Sequence, residues 1–162
     1  KANSHLLAGI GEVGLDFTPR VLSDRQVASP EVVKAAQRAV LTAQATLAQQ
    51  LGLALNVHSR GAGHHAISLL QELGVGDRCL MHAFDGKAKY ACNAVAHGFK
   101  FSVPPSAARS PAMQKMIRLL ELKHLCVETD SPALPATKGE VNEPAELVTS
   151  VRVICDVKGL PA

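Results

Sequence analysis

The sequence predicts an α/β fold on a parallel sheet, and two observations carry that prediction. Five short apolar runs alternate along the chain with five longer amphipathic ones, and the short runs read as apolar on both faces, as strands covered by helical crossovers do.

Local signals give the elements in order. The strand runs are HLLAGI before Gly11, LALNV before His58, RCLMH ending at His82, FKFSV after Gly98 and HLCVET ending at Thr129. After the first strand, Glu31 to Leu51 carries Val33, Ala36, Val40, Ala43 and Leu47 on one helical face, with Ser29-Pro30-Glu31 as a start and Gly52 as a stop. Further helices are predicted from His64 to Leu73, Lys87 to His97, Pro111 to Leu122 and Pro144 to Val157, three of them ended by Gly74, Gly98 and Gly159.

With 162 residues, 47% hydrophobic and 19% charged, the chain has material for one sizeable core and reads as a single domain. Its formal charge of +3 is too mild for a nucleic-acid coat but permits an anionic substrate. Cys79, Cys92, Cys126 and Cys155 are widely spaced with no CxxC pair, which predicts buried thiols in a reducing compartment: an intracellular protein, cytoplasmic or nuclear. No apolar stretch approaches the ~18 residues of a membrane helix, so no membrane partner is expected. The start KANSHLLAGIGEV does not read as a signal peptide, and its lack of an initiating methionine suggests a processed chain or a fragment.

A parallel sheet gathers its strand C-termini on one edge, where α/β proteins build their sites. At that edge stand Glu12 after the first run, His58 and Arg60 after the second, His82 and Asp85 after the third, and Asp130 after the fifth. Two imidazoles and two carboxylates from different strands form a mixed nitrogen and oxygen set suited to zinc, manganese or another divalent ion. A single strand-end histidine is more often structural, so the signal is the coincidence. His5, His64, His65, His97 and His124 fall at strand starts or on helices and are read as structural. Arg60 lies two residues beyond His58 on the same side of an extended segment, positioned to fork onto a phosphate. Asn142, before Glu143-Pro144, reads first as a helix cap and second as part of a phosphate-receiving helix start. Glu128 and Asp130 share a side of the last strand, Glu128 as partner of a nearby basic group. With one Tyr, four Phe and no Trp, stacking of several bases is not expected.

GEVGLDF (Gly11 to Phe17), NVHSR (Asn56 to Arg60), HAFDG (His82 to Gly86), ETDSP (Glu128 to Pro132) and NEPA (Asn142 to Ala145) occur in the order and rough spacing of the TatD family of metal-dependent deoxyribonucleases, which the chain resembles over nearly its whole length. The wording around NVHSR, HAFDG and SVPPS is most similar to the third type of TatD-domain protein of animals. The resemblance implies a (β/α)₈ barrel of the metal-dependent hydrolase superfamily, with Glu12, His58, His82 and Asp130 as metal ligands, Glu12 bridging two ions and Asp130 helping to activate water. It implies DNA as substrate and Mg, Mn or Zn as cofactor.

Two departures matter. The family's H-x-H pair on its first barrel strand is absent, since His64-His65 is adjacent rather than alternate, so one ion rather than two is expected. A whole barrel takes ~250 residues and eight units, whereas residues 1–162 offer five, the fourth to eighth by resemblance. Residues 1–162 are thus expected to be a single incomplete domain lacking the first three units, with open edges that favour self-association. Alternatives are an amide or ester hydrolase on the same scaffold and a non-catalytic truncated product.

Overall fold

The computed structural model describes residues 3–23 and 29–161. Strands β1 (Gly9–Asp16), β2 (Ala54–Arg60), β3 (Cys79–His82), β4 (Lys100–Val103) and β5 (Leu125–Val127) form one sheet in the order β1-β2-β3-β4-β5, every neighbouring pair parallel. The crossovers carry α1 (Pro19–Leu22), α2 (Pro30–Leu51), α3 (Gly63–Glu72), α4 (Ala88–Val95) and α5 (Pro111–Leu119), and α6 (Leu147–Lys158) follows β5. All five expected strands are present, as are the five expected helices, while the single turn of α1 lies within the stretch before α2 that was not assigned.

The first strand is displaced. HLLA, expected as its start, holds a 3₁₀ turn at Ser4–Leu6, with Leu6 and Leu7 73% and 54% exposed. The strand runs instead through GEVGLD, because its glycines let β1 press against β2. A Cβ at Gly11 would lie 2.7 Å from the Asn56 Cβ, and one at Gly14 1.6 Å from the His58 carbonyl oxygen. The pairing register shifts between Ile10 and Val13, so Glu12 sits in an irregularity inside the strand rather than after it. His58 and Arg60 likewise lie within β2, not beyond it.

The helices cover one face of the sheet. Leu55 and Val57 of β2, Met81 of β3 and Phe101 of β4 are fully buried against Leu41 and Ala45 of α2, Leu70 of α3, Ala91 of α4 and Met116 of α5. Each such aliphatic burial is worth about 1.5–3 kcal/mol relative to exposure. A smaller cluster, Val103, Ala107, Met113, Ile117, Val153 and Ile154, seats α6. On β2 the alternate residues Ala54, Asn56 and Arg60 are exposed, so the strand is covered on one face rather than both.

The expected face of α2 is corrected too. Leu41, Ala45 and Ala48 are its buried residues, while Val40 and Leu47 are 57% and 37% exposed. The helix is apolar on two stripes, and periodicity did not say which packs inward; the one rich in small alanines does, because it allows close approach to the sheet. Ser110 caps α5 by accepting from the Met113 amide at 3.3 Å, and Gly52 and Gly159 end α2 and α6 with φ of 68°. All four cysteines are free, Cys79 buried with its thiol pushed up to about 12 by burial, but Cys126 is exposed, against the expectation of buried thiols.

Candidate metal centre

The β1 irregularity presents Glu12, β2 presents His58, and β3 ends on His82, which is the register partner of His58 on the neighbouring strand. The two imidazole centroids are 5.5 Å apart, and one ligand atom from each of Glu12, His58 and His82 lies within 4.8 Å of the others. Glu12 Oε1 stands 2.7 Å from His58 Nδ1, yet that buried nitrogen has no hydrogen-bond partner, so the two atoms are near without being aligned as donor and acceptor. Two ligand atoms crowded toward a common point, one of them an orphaned buried nitrogen, suit a divalent cation better than they suit each other. The N, N, O set fits zinc or manganese.

His82 is 7% exposed and held hard. Its Nδ1 donates to Glu128 Oε2 at 2.6 Å, and Glu128 Oε1 accepts from the Ala83 amide at 3.0 Å. The Glu128 hydrogen bond raises the His82 pKa above its ordinary value, outweighing the opposing effect of burial, with the charges of Glu128, Asp130 and Glu12 adding to it. With Nδ1 committed, Nε2 is the nitrogen left for an ion; a carboxylate on the far nitrogen is the usual way to orient a metal-binding imidazole. Ser150 of α6, fully buried, donates to the main-chain carbonyl of Glu128 at 2.8 Å and anchors the backbone of that residue.

Asp130 comes from a loop, not from the strand, since β5 ends at Val127. The argument that Glu128 and Asp130 share a strand face therefore fails, but both still reach the same histidine: Asp130 Oδ1 lies 3.5 Å from His82 Nε2, opposite Glu128 on Nδ1. Asp130 has φ 55°, a left-handed conformation that costs a non-glycine residue on the order of 1 kcal/mol or more. It stands beside the three-residue group rather than within it.

The loop explains Asn142. This side chain is 3% exposed, and its Nδ2 donates to the carbonyls of Thr129, at 2.7 Å, and Ala133. It does not cap a helix, since the following turn has Glu143 at its N-cap position, and its Oδ1 is buried without a hydrogen-bond partner. It is a strut that brackets Asp130. Arg60 is exposed and lines a cavity of about 280 Å³ together with His58, Asp85, Arg109 and Asp130.

Other residues at the site gave no sequence signal. Ser102, on a strand expected to contribute nothing, places its hydroxyl 3.2 Å from the Ala83 amide. Gln37 of α2 exchanges two hydrogen bonds with the Asp16 backbone, satisfying β1 at its open edge. Both contacts cross between elements, which a linear motif does not record. His5 and His124 precede β1 and β5, at the end of the sheet away from the cluster, as expected.

The model of TatD-related DNases matches residues 2–162. The chain belongs to this family. It is 47% identical over 160 residues to the putative deoxyribonuclease TATDN3 of Mus musculus, covering 99% of this chain and 52% of the relative. It is likewise 47% identical over 154 residues to the deoxyribonuclease TATDN3 of Homo sapiens, covering 95% and 54%. The crystal structure of YJJV, a TatD homologue from Escherichia coli K12, superposes with a TM-score of 0.82 at 26% identity, over 96% of this chain and 57% of that one. The TatD chain described here thus spans about half the length of these relatives. Its fold is that of TIM-barrel-like metal hydrolases, and no helix among the described residues is long and apolar enough to cross a membrane.

Proposed function

We propose that residues 1–162 are the fourth to eighth units of a TatD-type barrel, and that with the preceding units they hydrolyse phosphodiester bonds of DNA. The observation that carries this reading is the convergence of Glu12, His58 and His82 at the C-terminal edge of a parallel sheet in a chain of this family. The half-length matches support the missing units, and so do the apolar residues exposed at both flanks: Val32, Val40 and Leu47 on α2, and Leu147, Val148 and Val151 on α6.

Glu12, His58 and His82 would hold one divalent ion. Such an ion lowers the pKa of water and polarises a phosphoryl oxygen. Around it, Glu128 fixes the His82 ring so that Nε2 faces the site. Asp130, partly open to solvent and 3.5 Å from that nitrogen, is placed to take the proton of the attacking water. Arg60, with Arg109 across the same cavity, meets the phosphate by forked hydrogen bonds. Lacking an H-x-H pair, the chain supplies ligands for one ion well and for a second poorly.

A nuclease assay on labelled DNA tests the reading. The 162-residue chain alone should cleave slowly or not at all, and joining the upstream half supplied by a relative should restore metal-dependent turnover that Asp130→Asn abolishes. Cleavage that survives both His58→Ala and a chelator would refute the metal mechanism, and a completed barrel that binds metal but splits only amides or esters would refute the nuclease assignment.

A further inference from the structure

On the outer surface, away from the metal centre, α4 and α5 leave a groove of about 560 Å³ between them. Its walls are mostly apolar, with Ala88 and Cys92 from α4 and Ala112 and Leu119 from α5. Side chains this small on both helices leave the space unfilled, and Leu119 stands 56% exposed on its border. Three cations, Lys87, Lys89 and Lys115, line the same groove, all of them exposed.

An ordinary solvated helix surface intersperses charges of both signs. Here, among the described residues, no carboxylate lines the groove and none of the three lysines is in an ion pair. Asp85 borders a separate notch that shares Lys87, not the groove itself. Lys89 lies 4.9 Å from the Tyr90 ring centroid, a contact that leaves its charge unneutralised. The groove thus sets uncompensated positive charge beside apolar surface.

The charge gathers at one end. Because β3, β4 and β5 are parallel, α4 and α5 both run back across the sheet in the same direction. Lys87 is the N-cap residue of α4, Lys89 follows within its first turn and Lys115 is one turn into α5, whereas Leu119 is the last residue of α5. The positive ends of the two helix dipoles add to the lysine end. From Ala112 to Leu119 the groove follows α5 for about 10 Å at 1.5 Å per residue, and its volume is that of a small-ligand site. Since α3 and α6 flank the pair, units added at the β1 and β5 edges leave the groove open.

We infer that the α4–α5 groove binds a medium-chain fatty acid, its carboxylate among Lys87, Lys89 and Lys115 and its alkyl chain along Ala112 and Cys92 toward Leu119. One charged end and one apolar end match a ligand with a single head and a single tail. An amphipathic partner helix would need acids along its whole length, which cations confined to one end do not match. A phosphate head, with three acceptor oxygens and nearly two charges, calls for donors that enclose it; separate exposed ammonium groups suit the single charge of a carboxylate. The site is independent of the nuclease reading above, and none of its residues belongs to the metal centre.

Cys92 lines the groove and is half-buried, while Cys126 of β5 is exposed outside it, so the chain carries its own probe and its own control. The 162-residue chain is titrated with decanoate below its micelle-forming concentration, and alkylation of each cysteine by iodoacetamide is followed by peptide mass spectrometry. Saturating decanoate should slow Cys92 about fivefold or more, as a ligand covering the groove would, and leave Cys126 unchanged. Decanol and decyltrimethylammonium, which lack the anionic head, should protect far less. Affinity should fall about fivefold for each of Lys89→Ser and Lys115→Ser, the upper end for an exposed charge pair. Ala112→Phe, at an exposed position that tolerates the larger ring, should fill the groove and abolish the effect of decanoate. Equal protection of Cys92 and Cys126, equal protection by decanol, or affinity unchanged in both lysine variants would overturn the site. Decyl phosphate bound more than about tenfold tighter than decanoate would overturn the carboxylate head.

Discussion

Glu128 holds the His82 ring through one oxygen and the Ala83 amide through the other, so its loss should be felt first in metal affinity. Glu128→Ala is expected to weaken divalent binding about 10- to 100-fold, as loss of a carboxylate behind a metal-binding imidazole usually does; calorimetric titration reads this directly, and unchanged affinity would mean the contact only packs. Asp16 gives a pH signature elsewhere. Burial pushes its carboxyl up, but hydrogen bonds from the Thr18 hydroxyl and amide, with the charges of Arg60 and Arg20, outweigh this and hold it below 3.8. A carboxyl depressed on folding stabilises the native state above its unfolded pKa and loses that contribution as pH falls through its folded pKa. The stability difference between wild type and Asp16→Ala should therefore be full above about pH 4 and shrink on acidification below it, as denaturant melts across that range would read. Of the residues named from sequence, Glu12, His58 and His82 were legible because identity and strand position together select them. Asn142 was misread because a capping motif and a buried strut look alike until its donors are seen to point at Thr129 and Ala133.

At the level of elements, the register irregularity in β1 decides where Glu12 goes, and Gly14 makes it possible. Any side chain at Gly14 would collide with the His58 carbonyl, so Gly14→Ala must push β1 off β2 or fail to fold. Its expected cost is about 3 kcal/mol, at the upper end for overpacking, measured as a lower denaturation midpoint accompanied by weaker metal binding; a neutral effect on both would mean β1 is not pinned there. Strand order and helix ends were legible from glycines and apolar runs. The start of β1 was not, because two glycines in GEVGLD argue against a strand by propensity while close approach to β2 requires them. The inward stripe of α2 was not legible either, as both of its faces are apolar and only packing separates Leu41 and Ala45 from Val40 and Leu47.

Over the whole molecule, the sheet has helices on one face, an opposite face that is open at Ala54, Asn56 and Arg60 of β2, and apolar stripes on α2 and α6 at its two flanks. Such surfaces associate, so sedimentation of the 162-residue chain should show self-association that rises with concentration, whereas a monomer at all concentrations with high thermal stability would argue that these flanks need no cover. The central claim is that Glu12, His58 and His82 form one divalent site. Titration with cobalt, read by its visible absorption, tests that claim most directly. The account predicts one site per chain with a d–d spectrum of mixed nitrogen and oxygen ligation, abolished by His58→Ala and by His82→Ala and competed away by zinc. A spectrum unchanged in both variants, or no spectrum at all in wild type at millimolar cobalt, would contradict it.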